Sequence, residues 1–97
     1  MKIVSLILAR GGSKGIPEKN IINLKGYPLI KYVIDASLQS NVHETWVSTD
    51  SKKIKLVAQS HGSQVVDRPS EFSTDISSSE DAILHFCTLV QFDVLVF

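Results

Sequence analysis

The run Arg10-Gly11-Gly12-Ser13-Lys14-Gly15-Ile16-Pro17-Glu18-Lys19-Asn20 is the stretch whose residue types could do chemistry. Glycines without a Cβ let successive backbone N–H groups come close to an anion, and Arg10, Lys14 and Lys19 would add charge-assisted bonds of about 1.5–3 kcal/mol each. A polyphosphate cradle asks for that combination. Two familiar phosphate motifs do not fit it. A P-loop needs Gly-Lys-Ser/Thr after four free positions, whereas Lys14 follows Ser13 and precedes Gly15. The dinucleotide fingerprint needs another glycine spacing and a helix opening at its last glycine. A basic glycine turn is more often a solvated surface loop than a site. Three cations in this one turn, placed directly after an apolar run, tip the reading toward an anion site.

The elements that must position this loop follow from hydrophobic periodicity. Residues 3–9 are nearly continuously apolar, which predicts a parallel strand buried on both faces, broken off by Gly11, Gly12 and Gly15. The loop therefore leaves a strand at its carboxyl end, where open parallel sheets bind ligands. Pro28 suits a first helical turn, and Ile30, Val33, Ile34 and Leu38 recur at helical spacing, predicting a helix over 28–40. A short strand with Trp46 and Val47 follows over 44–48. Asp50 or Ser51 can cap a second helix whose stripe is Ile54, Val57 and Ala58, with Gly62 placed for a left-handed C-terminal cap. Residues 63–67 form a third strand. Ser77 with Glu80 makes a capping box for a third helix presenting Ile83, Phe86, Cys87 and Val90, and residues 93–97 form a fourth strand. This alternation predicts an α/β fold: a three-layer α/β/α Rossmann-like sandwich on a mostly parallel sheet.

Composition bounds the rest. The chain has 97 residues, 43% hydrophobic and 21% charged, with ten Lys plus Arg against ten Asp plus Glu. That suits one small globular domain, or part of one, and excludes a disordered tail or a low-complexity segment. Zero net charge gives no global field for nucleic acid or an anionic membrane, so an anionic ligand must be held locally. The single cysteine, Cys87, excludes an internal disulfide and a multi-cysteine zinc site, reads as a buried apolar residue and fits a reducing cytoplasm. His43, His61 and His85 have no ligand spacing and read as surface or helix-packing residues; Trp46 reads as core or interface. The apolar run at 3–9 is too short to span a bilayer. The four apolar residues Val94, Leu95, Val96 and Phe97 at the end suggest a chain cut short.

Residues 9–21, Ala9-Arg10-Gly11-Gly12-Ser13-Lys14-Gly15-Ile16-Pro17-Glu18-Lys19-Asn20-Ile21, resemble the signature of the acylneuraminate cytidylyltransferases, the CMP-sialic acid synthetases. The resemblance continues through Gly26-Tyr27-Pro28-Leu29-Ile30, Val47-Ser48-Thr49-Asp50, Arg68-Pro69-Ser70-Glu71, and Asp75 with the serines after it. Synthetases for the acid sugar Kdo carry a Tyr-Gly-Ser-Thr-Arg variant of the loop, absent here, so nine-carbon acid sugars match better: sialic, legionaminic or pseudaminic acid.

The resemblance implies an enzyme that joins CTP to an acidic keto-sugar and releases pyrophosphate, with Mg²⁺ offsetting the accumulating charge. It implies that Arg10, Ser13 and Lys14 hold the CTP phosphates, that Ala9, Gly11 and Gly12 are nucleotide-binding residues of the same loop, that Lys19 faces the reacting α-phosphate, and that Asn20 contacts the nucleotide. Arg10, Lys14 and Lys19 become the catalytic cations, in line with phosphoryl transfer needing positioning and charge stabilisation. Arg68 would bond the cytosine carbonyl and ring nitrogen, Ser79 would lie near the ribose, and the backbone of Ser77 would touch the base. A capping box explains Ser77 equally well. Asp50 could ligate a metal, though an N-cap is favoured; Asp75 could order the nucleotide loop or cap the third helix.

Family domains are longer. A Gln-Pro-Thr-Ser segment, a late Asp-x-Asp pair for Mg²⁺, most sugar contacts and the dimer-forming elements are expected beyond Phe97. Residues 1–97 are then expected to be the N-terminal, nucleotide-binding part of one nucleotidyltransferase domain, cytoplasmic, homodimeric in full-length form and inactive alone. The alternatives are a truncated, non-catalytic CTP-binding module and a Rossmann-like module for another phosphate compound.

Overall fold

A computed structural model describes residues 1–11, 23–69 and 79–97. The element order is β1 (Ile3–Leu8), β2 (Asn23–Leu24), β3 (Tyr27–Pro28), α1 (Leu29–Leu38), β4 (Glu44–Thr49), α2 (Lys52–Ser60), β5 (Gln64–Asp67), α3 (Ser79–Leu89) and β6 (Val94–Val96). The four longer strands form one parallel sheet in the order β5-β4-β1-β6. Leaving β1 the chain moves outward to β4 and β5, then returns to place β6 on the other side of β1. Strand order therefore reverses beside β1, and the carboxyl end of β1 lies at the point where such sheets open a crevice.

Period-two alternation along the strands fills two cores. Ala9, Ile30, Ile34, Val47, Ile54 and Ala58 are buried between the sheet and the α1–α2 layer, with Ile7, Val57 and Val65 packed against them. Val4, Leu6, Val66 and Phe86 are buried between the opposite face and α3, with Trp46, Phe92 and Leu95 packed alongside. The sandwich has the three layers that the alternation predicts. Phe86 lies with its ring 5.9 Å from Trp46 and 5.9 Å from Phe92. Burial of one such ring contributes about 1.5–3 kcal/mol.

Local chemistry sets the ends of these elements. Ser51 caps α2, its hydroxyl accepting from the Ile54 N–H at 3.3 Å. Gly62, at φ +94°, takes the left-handed conformation after α2 that its position predicts. The hairpin β2–β3 is absent from the sequence reading. Lys25 and Gly26 both have positive φ, as a two-residue hairpin turn requires, and the Asn23 side chain accepts from the Gly26 N–H at 2.9 Å. Pro28 stands just before α1 in extended conformation rather than inside its first turn. Cys87, expected to be buried, is exposed: α3 turns Ala82 and Phe86 to the core and leaves Cys87 outside that stripe. The Ser77 capping box lies outside the described residues.

Candidate functional site

The site is built where β1, β4 and β5 end. Leu8 pairs with Ser48 and Ser48 with Val66. Two residues farther along each chain stand Arg10, Asp50 and Arg68. Register thus carries two cations and one carboxylate, from three remote stretches, to the same carboxyl edge.

Arg68 is buried to 8% exposure and tied to β4. Its Nε donates to Ser48 Oγ at 3.0 Å and one terminal guanidinium nitrogen donates to the Ser48 carbonyl at 3.0 Å. Its backbone N–H donates to the Thr49 carbonyl at 2.8 Å, extending the β4–β5 ladder by one rung. Burial is the main influence pushing its guanidinium below the ordinary arginine value. Asp50 opposes that shift by attraction, and Arg10 adds to it by repulsion. A guanidinium held along one edge by β4 is fixed in position and plane.

The root of the glycine loop is fixed as firmly. The Ala9 side chain is fully buried, and its N–H donates to the Ser48 carbonyl at 3.0 Å. Two residues on, the Gly11 N–H donates to Asp50 Oδ1 at 2.8 Å. A Cβ on Gly11 would lie 2.8 Å from the Cβ of Ser51, closer than side-chain carbons come, so only glycine allows this approach. Its φ lies outside the left-handed region. Asp50 is therefore not the cap of α2, a role Ser51 takes, and its carboxylate reaches back to β1's loop instead.

Of the residues singled out in the sequence, Ala9, Arg10, Gly11 and Arg68 come together here. Ser79 stands exposed at the start of α3. Gly12, Ser13, Lys14, Lys19, Asn20 and Ser77 lie outside the described residues. Among the described residues no group of three His, Cys, Asp or Glu side chains could hold a metal ion. The carboxylate at the crevice, Asp50, has its Oδ1 on the Gly11 amide. The part played by Ser48 is missing from the sequence reading. No sequence-level signal marks it, because its partners appear only once register sets Ser48, fully buried, beside Leu8 and Val66. Among the described residues no helix is long and apolar enough to cross a membrane.

Several known proteins are similar to this chain. N-acylneuraminate cytidylyltransferase B of Danio rerio is 54% identical over 85 residues, covering 88% of this chain and 20% of that protein. The N-acylneuraminate cytidylyltransferase of Escherichia coli O18:K1:H7 is 44% identical over 85 residues, 87% of this chain and 20% of its own length. This chain thus spans about a fifth of the curated relatives it matches. A solved CMP:2-keto-3-deoxy-manno-octonic acid synthetase complexed with CTP superposes with a TM-score of 0.86 at 29% identity, over 98% of this chain and 38% of that one. The family model described as Cytidylyltransferase matches residues 4–91, and with these likenesses it places the chain in the cytidylyltransferase family.

Proposed function

We propose that this chain binds CTP at the carboxyl edge of β1, β4 and β5, as part of an enzyme that transfers CMP to an acidic nine-carbon keto-sugar. The observation that carries the reading is the convergence of a buried, oriented Arg68 with the root of the basic glycine loop. Sequence likeness supports the sugar class: relatives named N-acylneuraminate cytidylyltransferase reach 40–55% identity, against 29% for the solved octonic acid synthetase. N-acetylneuraminate, legionaminate and pseudaminate share the carboxylate and anomeric hydroxyl that the reaction needs.

In this reaction the anomeric oxygen attacks the α-phosphorus, and a new P–O bond forms as the bond to the β-phosphate oxygen breaks. Pyrophosphate leaves with that electron pair, and the hydroxyl proton passes to solvent. Arg10, Ser13 and Lys14, with the amides near Gly12, hold the phosphates; Lys19 faces the α-phosphate and Asn20 the nucleotide. Arg68 reads the cytosine edge, Ser77 meets the base and Ser79 lies near the ribose. Loss of one such cationic donor lowers the rate on the order of 10²–10³. Mg²⁺, when bound, would offset triphosphate charge. The whole protein acts in the cytoplasm as a homodimer on CTP and sugar, with no nucleic-acid or membrane partner.

A second reading is a module that binds CTP without turning it over. Calorimetric titration with CTP and ATP, on the unaltered chain and on Arg68→Ala, tests the binding. Selective CTP binding that is lost in Arg68→Ala is expected, whereas equal binding of ATP and CTP refutes the assignment. Pyrophosphate release with CTP and each of the three sugars separates the enzyme from the binding module.

A further inference from the structure

We propose that Asp50 is a positioning residue of the nucleotide crevice, acting through the amide of Gly11. The inference rests on the reading that this crevice takes CTP. Asp50 Oδ1 accepts from the Gly11 N–H at 2.8 Å across 39 positions of sequence. The same junction is so close that a Cβ on Gly11 would meet the Cβ of Ser51 at 2.8 Å. The root of the glycine loop, at Gly11, is thereby fastened to the N-terminus of α2.

Charge supports the same role. A carboxylate at the mouth of a site for a triphosphate repels the ligand, so its presence needs another reason. Asp50 attracts the Arg68 guanidinium, which Arg10 repels. It offsets the conflict between two cations that the ligand requires side by side, while its oxygen holds the loop. Helix capping does not account for it, because Ser51 takes that role. Nor does core packing, because the side chain is exposed.

Asp50→Asn keeps an oxygen that can accept from Gly11; Asp50→Ala keeps none. Calorimetric titration of the unaltered chain and both variants with CTP and with CMP reads the consequence. Asp50→Ala is expected to weaken CTP about tenfold or more, the range for a hydrogen bond to a charged group. CMP, which lacks the β- and γ-phosphates, is expected to lose less, so the CTP-to-CMP affinity ratio falls. Asp50→Asn is expected to lose less CTP affinity than Asp50→Ala, because the acceptor remains and only the charge is removed. In ¹⁵N-labelled protein without nucleotide, the Gly11 amide resonance is expected to move in Asp50→Ala and stay near its place in Asp50→Asn.

Four results overturn the inference alone: unchanged CTP affinity in Asp50→Ala, equal losses of CTP and CMP, an Asp50→Asn as weak as Asp50→Ala, or loss of fold in Asp50→Ala, which assigns Asp50 to stability. Absence of CTP binding by the unaltered chain refutes the proposed function itself, and the inference falls with it.

Discussion

Replacing Gly11 with alanine adds one methyl group where the structure leaves no room. The new Cβ would lie 2.8 Å from the Cβ of Ser51 and 3.5 Å from its Oγ. Carbon atoms pack best at about 3.5–4.0 Å, so the β1 loop and the start of α2 must separate by roughly 1 Å. Neither partner can yield by rotating a flexible side chain, because both are attached directly to backbone. Overpacking of this kind costs about 1–3 kcal/mol. The separation also draws Ser51 away from Ile54, whose N–H it already holds at a long 3.3 Å, and loss of a cap costs about 1 kcal/mol more. At roughly 4–8 °C per kcal/mol for a domain of this size, the midpoint is expected to fall by about 10 °C or more. Thermal unfolding followed by far-ultraviolet circular dichroism measures it. Gly26 is the control, since it has φ +92° and nothing within 4 Å of a Cβ. There the penalty is conformational and asparagine, which tolerates left-handed backbone, should be milder than alanine. At Gly11 asparagine should be worse than alanine. An unchanged midpoint in Gly11→Ala, or the Gly26 order of severity at Gly11, refutes the close-approach argument.

Phe86→Ala removes a fully buried ring between Trp46 and Phe92 and is expected to cost about 3–5 kcal/mol, read as a lower urea midpoint and a changed Trp46 emission; a midpoint within error of the parent contradicts the packing. Ser51→Ala leaves the Ile54 amide without its acceptor and is expected to lower the thermal midpoint by a few degrees, consistent with about 0.5–1 kcal/mol. The Glu44 carboxyl is held below its ordinary value of 4.5, first by the hydrogen bond from the Trp46 indole and then by Lys2. Because the folded value is the lower one, the stabilisation is fully present above that ordinary value and is lost as pH falls through the folded one. Glu44→Gln should therefore flatten the acid side of the thermal midpoint against pH, and an identical acid limb in both proteins would contradict it.

The strands and helices were legible because their physical causes are local. Near-continuous apolar runs, a serine before an apolar stripe and a glycine after it identified β1, α2 and the turn at Gly62. The hairpin at Asn23–Leu24 and Tyr27–Pro28 escaped because two-residue strands carry no periodicity; only Lys25-Gly26 marks it, and lysine is a poor cue for positive φ. Cys87 was misplaced by reading apolar spacing as a buried face, when the helix ends in a half-open layer that also leaves Leu84 and Leu89 exposed. Arg68 stood out as chemistry on a strand's carboxyl end. Its support by Ser48 did not, because a serine among apolar residues of a strand has no sequence-level partner until register supplies one.

Asp50 shows where a motif stops and geometry begins. Ser-Thr-Asp-Ser before a helix reads equally as a cap at either the aspartate or the serine, and propensity does not choose between them. The sheet chooses. With Leu8, Ser48 and Val66 in one row, the chain two residues on offers Arg10, Asp50 and Arg68, a cation, an anion and a cation. A slip of one residue between β1 and β4 would carry β5 along with β4 and put Thr49 with Asp67, or Ser51 with Pro69, beside Arg10 in place of Asp50 and Arg68. It would also move Val47 off the core face that it shares with Ile54 and Ala58. The hydrophobic alternation that buries Val47 therefore fixes the register that balances the site. For this reason the charge row can be exposed at its centre and still hold its geometry: the core beneath it sets the spacing, and the carboxylate only has to hold the loop.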